Sequence, residues 1–250
     1  MNKTIKKVAI TAAKVVAFVA VILLLWWVFA LISNNVLVLP QPWSVVKIAF
    51  GLLGKGATYV NLAVTLGRSL LAFALSALLA LGLSLFVGVC PSAKFFANGV
   101  VTALRALPTV AVILVFMIVA TSSYVPVLVS FLVVFPVLFG AFMREIYADE
   151  QLLDVCKVYK VSLSKQIRYV FLPQILRTFF TQCKDTLILC VKVVVAGEVL
   201  ALPKLGLGRE MYVAKVNLET AQVLALTLLI VAVCCAVSGL FALAQRKVKW

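Results

Sequence analysis

Five ionisable residues interrupt the long apolar runs of this 250-residue sequence: Arg105, Lys184, Asp185, Lys192 and Glu198. A charged side chain near the centre of a membrane helix costs about 2.5–3.5 kcal/mol on insertion scales. Such a residue pairs with another helix, extends its charged end to the lipid headgroups, or lines an aqueous pathway. These three interpretations define the chemistry that the sequence offers.

Residues for catalysis or metal binding are scarce. The sequence has no histidine, and its six cysteines form no C-x-x-C pair, so no metal site is expected. The segment GLLGKGAT at 51–58 lacks the G-x-x-x-x-G-K-[ST] spacing that holds ATP phosphates. We therefore predict that the chain is not an enzyme and binds no cofactor itself.

The composition predicts a protein of the lipid bilayer. Hydrophobic residues make up 65% of the sequence and charged residues only 12%, against roughly 25% charged in soluble domains. The net charge is +15, but the cations lie between apolar runs instead of on one polar face. Nucleic-acid binding is therefore not expected.

The lengths of the uncharged runs set the number of membrane spans. A crossing helix needs roughly 20 apolar residues. Polar residues followed by a proline at 121–126 predict a turn that divides the longest run. Six spans result, at about 15–32, 69–93, 95–120, 126–143, 175–200 and 220–245.

Proline in the third span adds a second signal. Pro108 should kink that helix and free a carbonyl, which membrane proteins tolerate where helices line a cavity. Together with the ionisable residues, this predicts a set of candidates for a translocation pathway. The set is Arg105, Pro108, Thr109, Lys192 and Glu198.

The distribution of Lys and Arg predicts the orientation, because cytoplasmic loops carry the excess of these residues. With six spans and a cytoplasmic N-terminus, few of the 23 cations fall in outside segments. Those few are Lys47, Lys55, Lys204, Arg209 and Lys215. Both termini are therefore predicted to be cytoplasmic.

The longest cytoplasmic loop, 144–173, shows two helical patterns. Leu152, Cys156 and Tyr159 have helical spacing. A second helix can begin at Ser162 or Ser164, with apolar residues of the following segment on one face. Pro173 then marks the start of the fifth span. The loop is predicted to be a short amphipathic helical hairpin on the membrane surface.

This loop resembles the cytoplasmic loop of bacterial ABC importer permeases, whose pattern is E-A-A, three residues, G, nine residues, I-x-L-P. Asp154, Val155 and Cys156 stand at E-A-A, Lys160 at the glycine, and VFLP at 170–173. Further segments over about 38–245 are similar to the nitrate/sulfonate/taurine class of these permeases: VLPQPWSVV, TLGRSLLAF, LRALPTVAVILV and GEVLALPKLGLG. Lys160 is a departure, because the left-handed conformation that glycine adopts there costs other residues about 1–2 kcal/mol.

The resemblance implies an all-α, type I ABC importer permease fold in the bacterial inner membrane. It implies a cytoplasmic tail and first span at 1–37, a permease domain at 38–245 and a cytoplasmic tail at 246–250. The partners would be an ATPase dimer that binds ATP and Mg, a second permease copy and an extracytoplasmic solute-binding protein. The implied ATPase-coupling residues are Asp154, Val155, Cys156, Lys160, Ser162, Leu163, Ile167, Phe171 and Pro173.

The substrate is the least determined feature. Relatives of this class handle nitrate, sulfonates, taurine, bicarbonate or vitamin precursors, and an inward-facing Lys192 would favour an anion. Two other functions stay open: an ion-coupled secondary carrier, and a regulatory subunit that binds an ATPase but transports nothing. A secondary carrier would need no cytoplasmic docking hairpin, and the sequence lacks the inverted repeat common in such carriers.

Overall fold

The computed structural model describes residues 3–33, 35, 37–148 and 150–247, and within these ranges it is helical. In chain order the helices are α1 (Lys3–Ser33), α2 (Pro42–Leu53), α3 (Gly56–Val89), α4 (Ala93–Ala106), α5 (Thr109–Val119), α6 (Val125–Ile146), α7 (Glu150–Val158), α8 (Leu163–Gln166), a π-helical turn (Ile167–Phe171), α9 (Leu172–Ala201), α10 (Leu207–Val216) and α11 (Thr220–Lys247).

Three helical stretches are long and apolar enough to cross a membrane: Gly56–Val89, Val125–Ile146 and Thr220–Phe241. The pair α4 and α5 would make a fourth span if it counts as one. Uncharged runs of this length form helices in lipid because each backbone amide and carbonyl must be satisfied within the segment. The described part of the chain therefore holds three to four candidate spans, and the predicted turn at 121–126 separates α5 from α6.

The third predicted span differs from the single kinked helix expected from Pro108. The chain bends by 94° between α4 and α5. Leu107 and Pro108 are both extended, with ψ of 126° and 123°. The reason is local, because a residue before proline is disfavoured in the helical region and proline itself cannot donate a backbone hydrogen bond. The result is a broken helix with a sharper turn than a kink.

The chain separates into two compact units. One comprises Met1–Thr58 and Glu210–Ile230, and the other comprises Tyr59–Arg209 and Val231–Trp250. The main core lies in the second unit, where α6 packs along α9. Its largest fully buried side chains include Leu138, Phe139 and Phe142 of α6 and Ile175 of α9.

Close packing in this core depends on small residues. A Cβ on Gly197 of α9 would lie 2.9 Å from the Cα of Pro126, at the start of α6. Helix α3 buries a stripe of small side chains at helical spacing: Thr65, Ser69, Ala72, Ser76, Ala80 and Ser84. Small residues let membrane helices approach closely, and their hydroxyl groups donate hydrogen bonds to nearby backbone carbonyls. Ser76 Oγ, for example, donates to the Ala72 carbonyl at 2.8 Å.

Candidate functional site

Glu198, near the C-terminal end of α9, is fully buried and forms the centre of a polar cluster. Arg68 of α3 donates from Nη1 to Glu198 Oε1 at 2.7 Å, forming a salt bridge. The Thr65 hydroxyl lies 2.9 Å from Glu198 Oε2, and the Gly208 amide donates to the same oxygen at 3.0 Å. Both carboxylate oxygens are therefore hydrogen-bonded, which is what a buried charge requires.

The loop between α9 and α10 closes over this carboxylate. Arg68 Nη1 also donates to the Leu205 carbonyl at 2.7 Å, and the Gly206 amide donates to Asn61 Oδ1 at 2.9 Å. The Leu207 amide donates to Thr65 Oγ1 at 3.0 Å. We call Asn61, Thr65, Arg68, Glu198 and the backbone of 205–208 the Glu198 cluster.

Two glycines make the cluster possible. Gly206 has a φ of 143°, a conformation that strains other residues, and a Cβ there would lie 2.5 Å from the Glu198 carboxyl carbon. A Cβ on Gly208 would lie 2.4 Å from the Val195 carbonyl oxygen. The G-L-G segment at 206–208 is thus required by the close approach of its backbone to α9. The cluster fixes the end of α9, the following loop and α3 in one arrangement.

The structure does not gather the other predicted pathway residues around Glu198. Arg105, at the end of α4, donates to the Pro136 carbonyl of α6. Pro108 and Thr109 form the break between α4 and α5. Lys192 is exposed on α9 and forms no ion pair within the described residues. Of the five candidates, only Glu198 lies in a cluster with an opposite charge.

Asn61, Thr65 and Arg68 were not among the predicted site residues. These three side chains lie at i, i+4 and i+7 on α3, which puts them on one helical face. A polar stripe leading to an arginine in an otherwise apolar helix was the available signal. The partner lies 130 residues away in sequence, and only packing brings the two together.

The two helices predicted in the loop at 144–173 are present as α7 and α8. Ser162 is the N-terminal capping position of α8, although its side chain makes no capping hydrogen bond. Lys160 adopts the left-handed conformation, with a φ of 46°. The Val161 amide donates to the Cys156 carbonyl at 3.0 Å, which completes a Schellman end to α7. The helix therefore ends as it would with glycine.

Exposure divides the nine predicted coupling residues. Cys156 and Phe171 are buried, and the Phe171 ring carbons lie 3.3 Å from the position of a Cβ on Gly88. Ile167 is half-buried against the same core. The remaining six are exposed: Asp154, Val155, Lys160, Ser162, Leu163 and Pro173. Phe171 and Ile167 thus pack the end of the loop on the core that α3 and α6 share.

The outward side of this loop is unusually apolar. Val158 and Tyr159 are 77% and 76% exposed, and Val155 lies at i−3 and i−4 from them on the same face of α7. Leu163 and Tyr169 are also more than half exposed. We call these five residues, Val155, Val158, Tyr159, Leu163 and Tyr169, the exposed apolar set. Exposed apolar residues grouped in this way are typical of surfaces that contact a partner or lipid.

A π-helical turn connects α8 to α9. The Leu172 amide donates to the Ile167 carbonyl, five residues back. Pro173 has no amide hydrogen for the Tyr169 carbonyl, so the regular pattern cannot continue there. Because α8, the turn and α9 follow without a gap, a displacement of the loop acts directly on the long helix α9.

Lys160→Gly is expected to stabilise the loop by about 1 kcal/mol. Glycine avoids the cost of about 1–2 kcal/mol that the left-handed conformation has for lysine. Part of this gain is lost, because glycine also has more conformational entropy in the unfolded chain. The unfolding temperature should rise by roughly 2–4 °C. Lys165→Gly is the matched control, because Lys165 is an exposed helical residue of α8 and its replacement should lower the temperature. Equal shifts in both variants would contradict the left-handed strain at Lys160.

The architecture is that of a helical membrane component with three to four candidate spans. Residues 79–250 match the family model described as binding-protein-dependent transport system inner membrane component. This match covers more than half of the sequence, and the chain belongs to that family. No curated protein matches the chain.

Family membership establishes the general role. The chain is the permease component of a binding-protein-dependent ABC transport system and a multi-pass component of the inner membrane. It is a non-catalytic subunit without a cofactor of its own, and its ATPase partner binds ATP. The family also implies a solute-binding protein as a second partner.

Proposed function

We propose that two copies of this chain form the translocation pathway of an ATP-driven importer for a small solute of the nitrate, sulfonate, taurine or vitamin-precursor class. The exposed apolar set on the loop at 144–173 is the observation that carries the proposal. An apolar surface on a water-facing loop is stable in a complex that covers it, and the ATPase subunit is the partner that the family supplies.

The proposed topology has six spans with both termini in the cytoplasm. Besides the candidate spans of α3, α4 with α5, α6 and α11, it uses α1 and α9. Helix α9 carries Lys184, Asp185, Lys192 and Glu198, and its 30 residues are long enough to cross. Residues 38–245 would form the permease domain, with both tails inside.

The coupling step follows from the loop geometry. An ATPase surface that contacts Val158 and Tyr159 would displace α7 and the α8 segment that follows it, and Phe171 packs the end of this loop on the core. The π-helical turn would pass this motion to α9. The same contact would include the other predicted coupling residues, which would supply polar groups and set the backbone shape of the loop. These are Asp154, Lys160, Ser162 and Pro173.

A second permease copy is supported by the exposed face of α9. Asp185, Lys192 and Ala196 lie at i, i+7 and i+11, on one exposed side of the helix. Charges on a lipid-facing side are costly, whereas a partner copy and an aqueous pathway would accommodate them. We assign Lys192 as the cation that favours anionic solutes. The broken helix beside the pathway would contribute Arg105, Pro108 and Thr109, and Glu198 would lie at the end of α9.

Proteoliposomes containing the chain, its cognate ATPase and its solute-binding protein test this function. Uptake of labelled nitrate, taurine and an alkylsulfonate is expected only when ATP is supplied, and it should persist when ion gradients are collapsed by ionophores. Uptake by the chain alone, driven by an ion gradient, would indicate a secondary carrier instead of an ATP-driven importer. ATPase binding without uptake of any solute would support the regulatory subunit instead.

A further inference from the structure

A basic cavity of about 570 Å³ lies between α4 and the C-terminal end of α6. Its floor is apolar and includes Val101 and Phe139. Its polar lining is Lys94, Asn98, Thr102, Arg105, Arg144 and Tyr147. We call it the α4–α6 cavity. Three cations line it and no acidic residue does, so its electrostatic potential is positive.

The cations are held without acidic partners. Lys94 Nζ lies 3.6 Å from the centre of the Tyr147 ring, a cation–π contact. Burial raises the pKa of the Tyr147 hydroxyl, so this ring belongs to a neutral phenol at physiological pH. Arg105 is directed at the Pro136 carbonyl, and Arg144 is exposed in the last turn of α6. Within the described residues none of the three forms an ion pair.

The position of Lys94 is unfavourable for the isolated helix. It lies in the first turn of α4, where the helix dipole is positive and disfavours another cation. A bound anion would offset both charges. The arrangement therefore gains stability from an anionic ligand.

An exposed aromatic side chain borders the cavity on the same helix. Phe95, next to Lys94, is 81% exposed, whereas Phe96 and Val100 lie on the face of α4 opposite the residues that line the cavity. Aromatic side chains of this kind are typical of the boundary between headgroups and acyl chains. A cationic cavity with Val101 and Phe139 in its lining and Phe95 at its border fits an amphipathic molecule better than a small inorganic ion.

We propose that the α4–α6 cavity binds the phosphate headgroup of an anionic phospholipid, with the acyl chains leaving the cavity past Phe95. Basic pockets between membrane helices on the cytoplasmic side hold such headgroups. The assignment to the cytoplasmic leaflet rests on the topology proposed above. A bound lipid would fix α4 on α6 next to the broken helix at Leu107 and Pro108, so lipid composition would affect the mobility of that break.

Equilibrium binding of phosphatidylglycerol to the purified full chain, followed by native mass spectrometry in a neutral detergent, tests this proposal. Phosphatidylcholine, a zwitterion with no net charge, is the comparison lipid. Lys94→Gln with Arg144→Gln removes two cavity charges and should weaken phosphatidylglycerol binding by about thirtyfold, at about 1 kcal/mol for each charge. Lys165→Gln with Arg168→Gln is the matched control, since it removes one lysine and one arginine from the loop at 144–173, and its binding should equal that of the wild type.

The charge-conserving pair Lys94→Arg with Arg144→Lys should retain binding, which separates loss of charge from misfolding. Three results would overturn the proposal: equal affinity in the two glutamine pairs, equal binding of phosphatidylcholine, or displacement of the lipid by inorganic phosphate at the concentration where phosphate alone binds. The last result would assign the cavity to a free anion. The measurement needs neither ATPase nor transport, so its failure is distinct from failure of the proposed importer function.

Discussion

Arg68→Met is expected to destabilise the second unit by about 3–5 kcal/mol, the loss typical when one partner of a buried ion pair is removed. The Glu198 carboxylate would stay buried without its counter-charge, and the Leu205 carbonyl would lose its donor. The unfolding temperature in detergent should fall on the order of 10 °C. Transport should fall with the amount of folded protein.

The double variant Arg68→Met with Glu198→Gln is the decisive comparison. Glutamine removes the negative charge but keeps an oxygen for the Gly208 amide, so most of the lost stability should return. A double variant as unstable as Arg68→Met alone would contradict the ion-pair explanation. A double variant that is stable but does not transport would assign Glu198 to the pathway as well as to the fold.

Val158→Asp with Tyr159→Asp is expected to reduce association with the ATPase by about a hundredfold or more. Each substitution removes an exposed apolar contact and places a carboxylate where the partner would bury it. A loss of binding free energy of about 1.4 kcal/mol is a tenfold loss of affinity, so two such losses give about a hundredfold. Co-purification and titration of the ATPase measure the effect. Helix content and unfolding temperature should be unchanged, because both side chains are exposed.

Val213→Asp with Val216→Asp provides the matched control for this interface. These valines lie on α10 at i and i+3, are 46% and 62% exposed, and belong to a segment that the proposed topology places outside the cell. Their substitution should leave ATPase association intact. Undiminished ATPase association in the Val158 and Tyr159 variant would show that the loop at 144–173 is not the coupling element.

Phe171→Asp shows why inward and outward positions must be separated. Helical spacing in the sequence put Ile167 and Phe171 on one face, and that face packs on the core instead of facing solvent. Phe171 is only 1% exposed, so an aspartate there would disrupt folding. Loss of ATPase binding in that variant would not identify a docking surface. Val158 and Tyr159 give the cleaner test.

The sequence alone determined the all-helical membrane class, the turn at 121–126 and the two helices of the loop at 144–173. These features depend on local properties: the length of an uncharged run, proline without an amide hydrogen, and apolar spacing along one helix. The sequence also located Lys160 at a glycine position, but only the structure showed that the lysine itself adopts the left-handed conformation.

Only the tertiary structure decided which charges meet and which faces point outward. Arg68 and Glu198 belong to helices far apart in the chain, and their pairing depends on how α3 and the end of α9 pack. Lys94, Arg105 and Arg144 form one cavity because α4 lies against α6. Periodicity defines a face of a helix but not its neighbour. The neighbour depends on side-chain shapes and on polar groups that must be satisfied across the whole core.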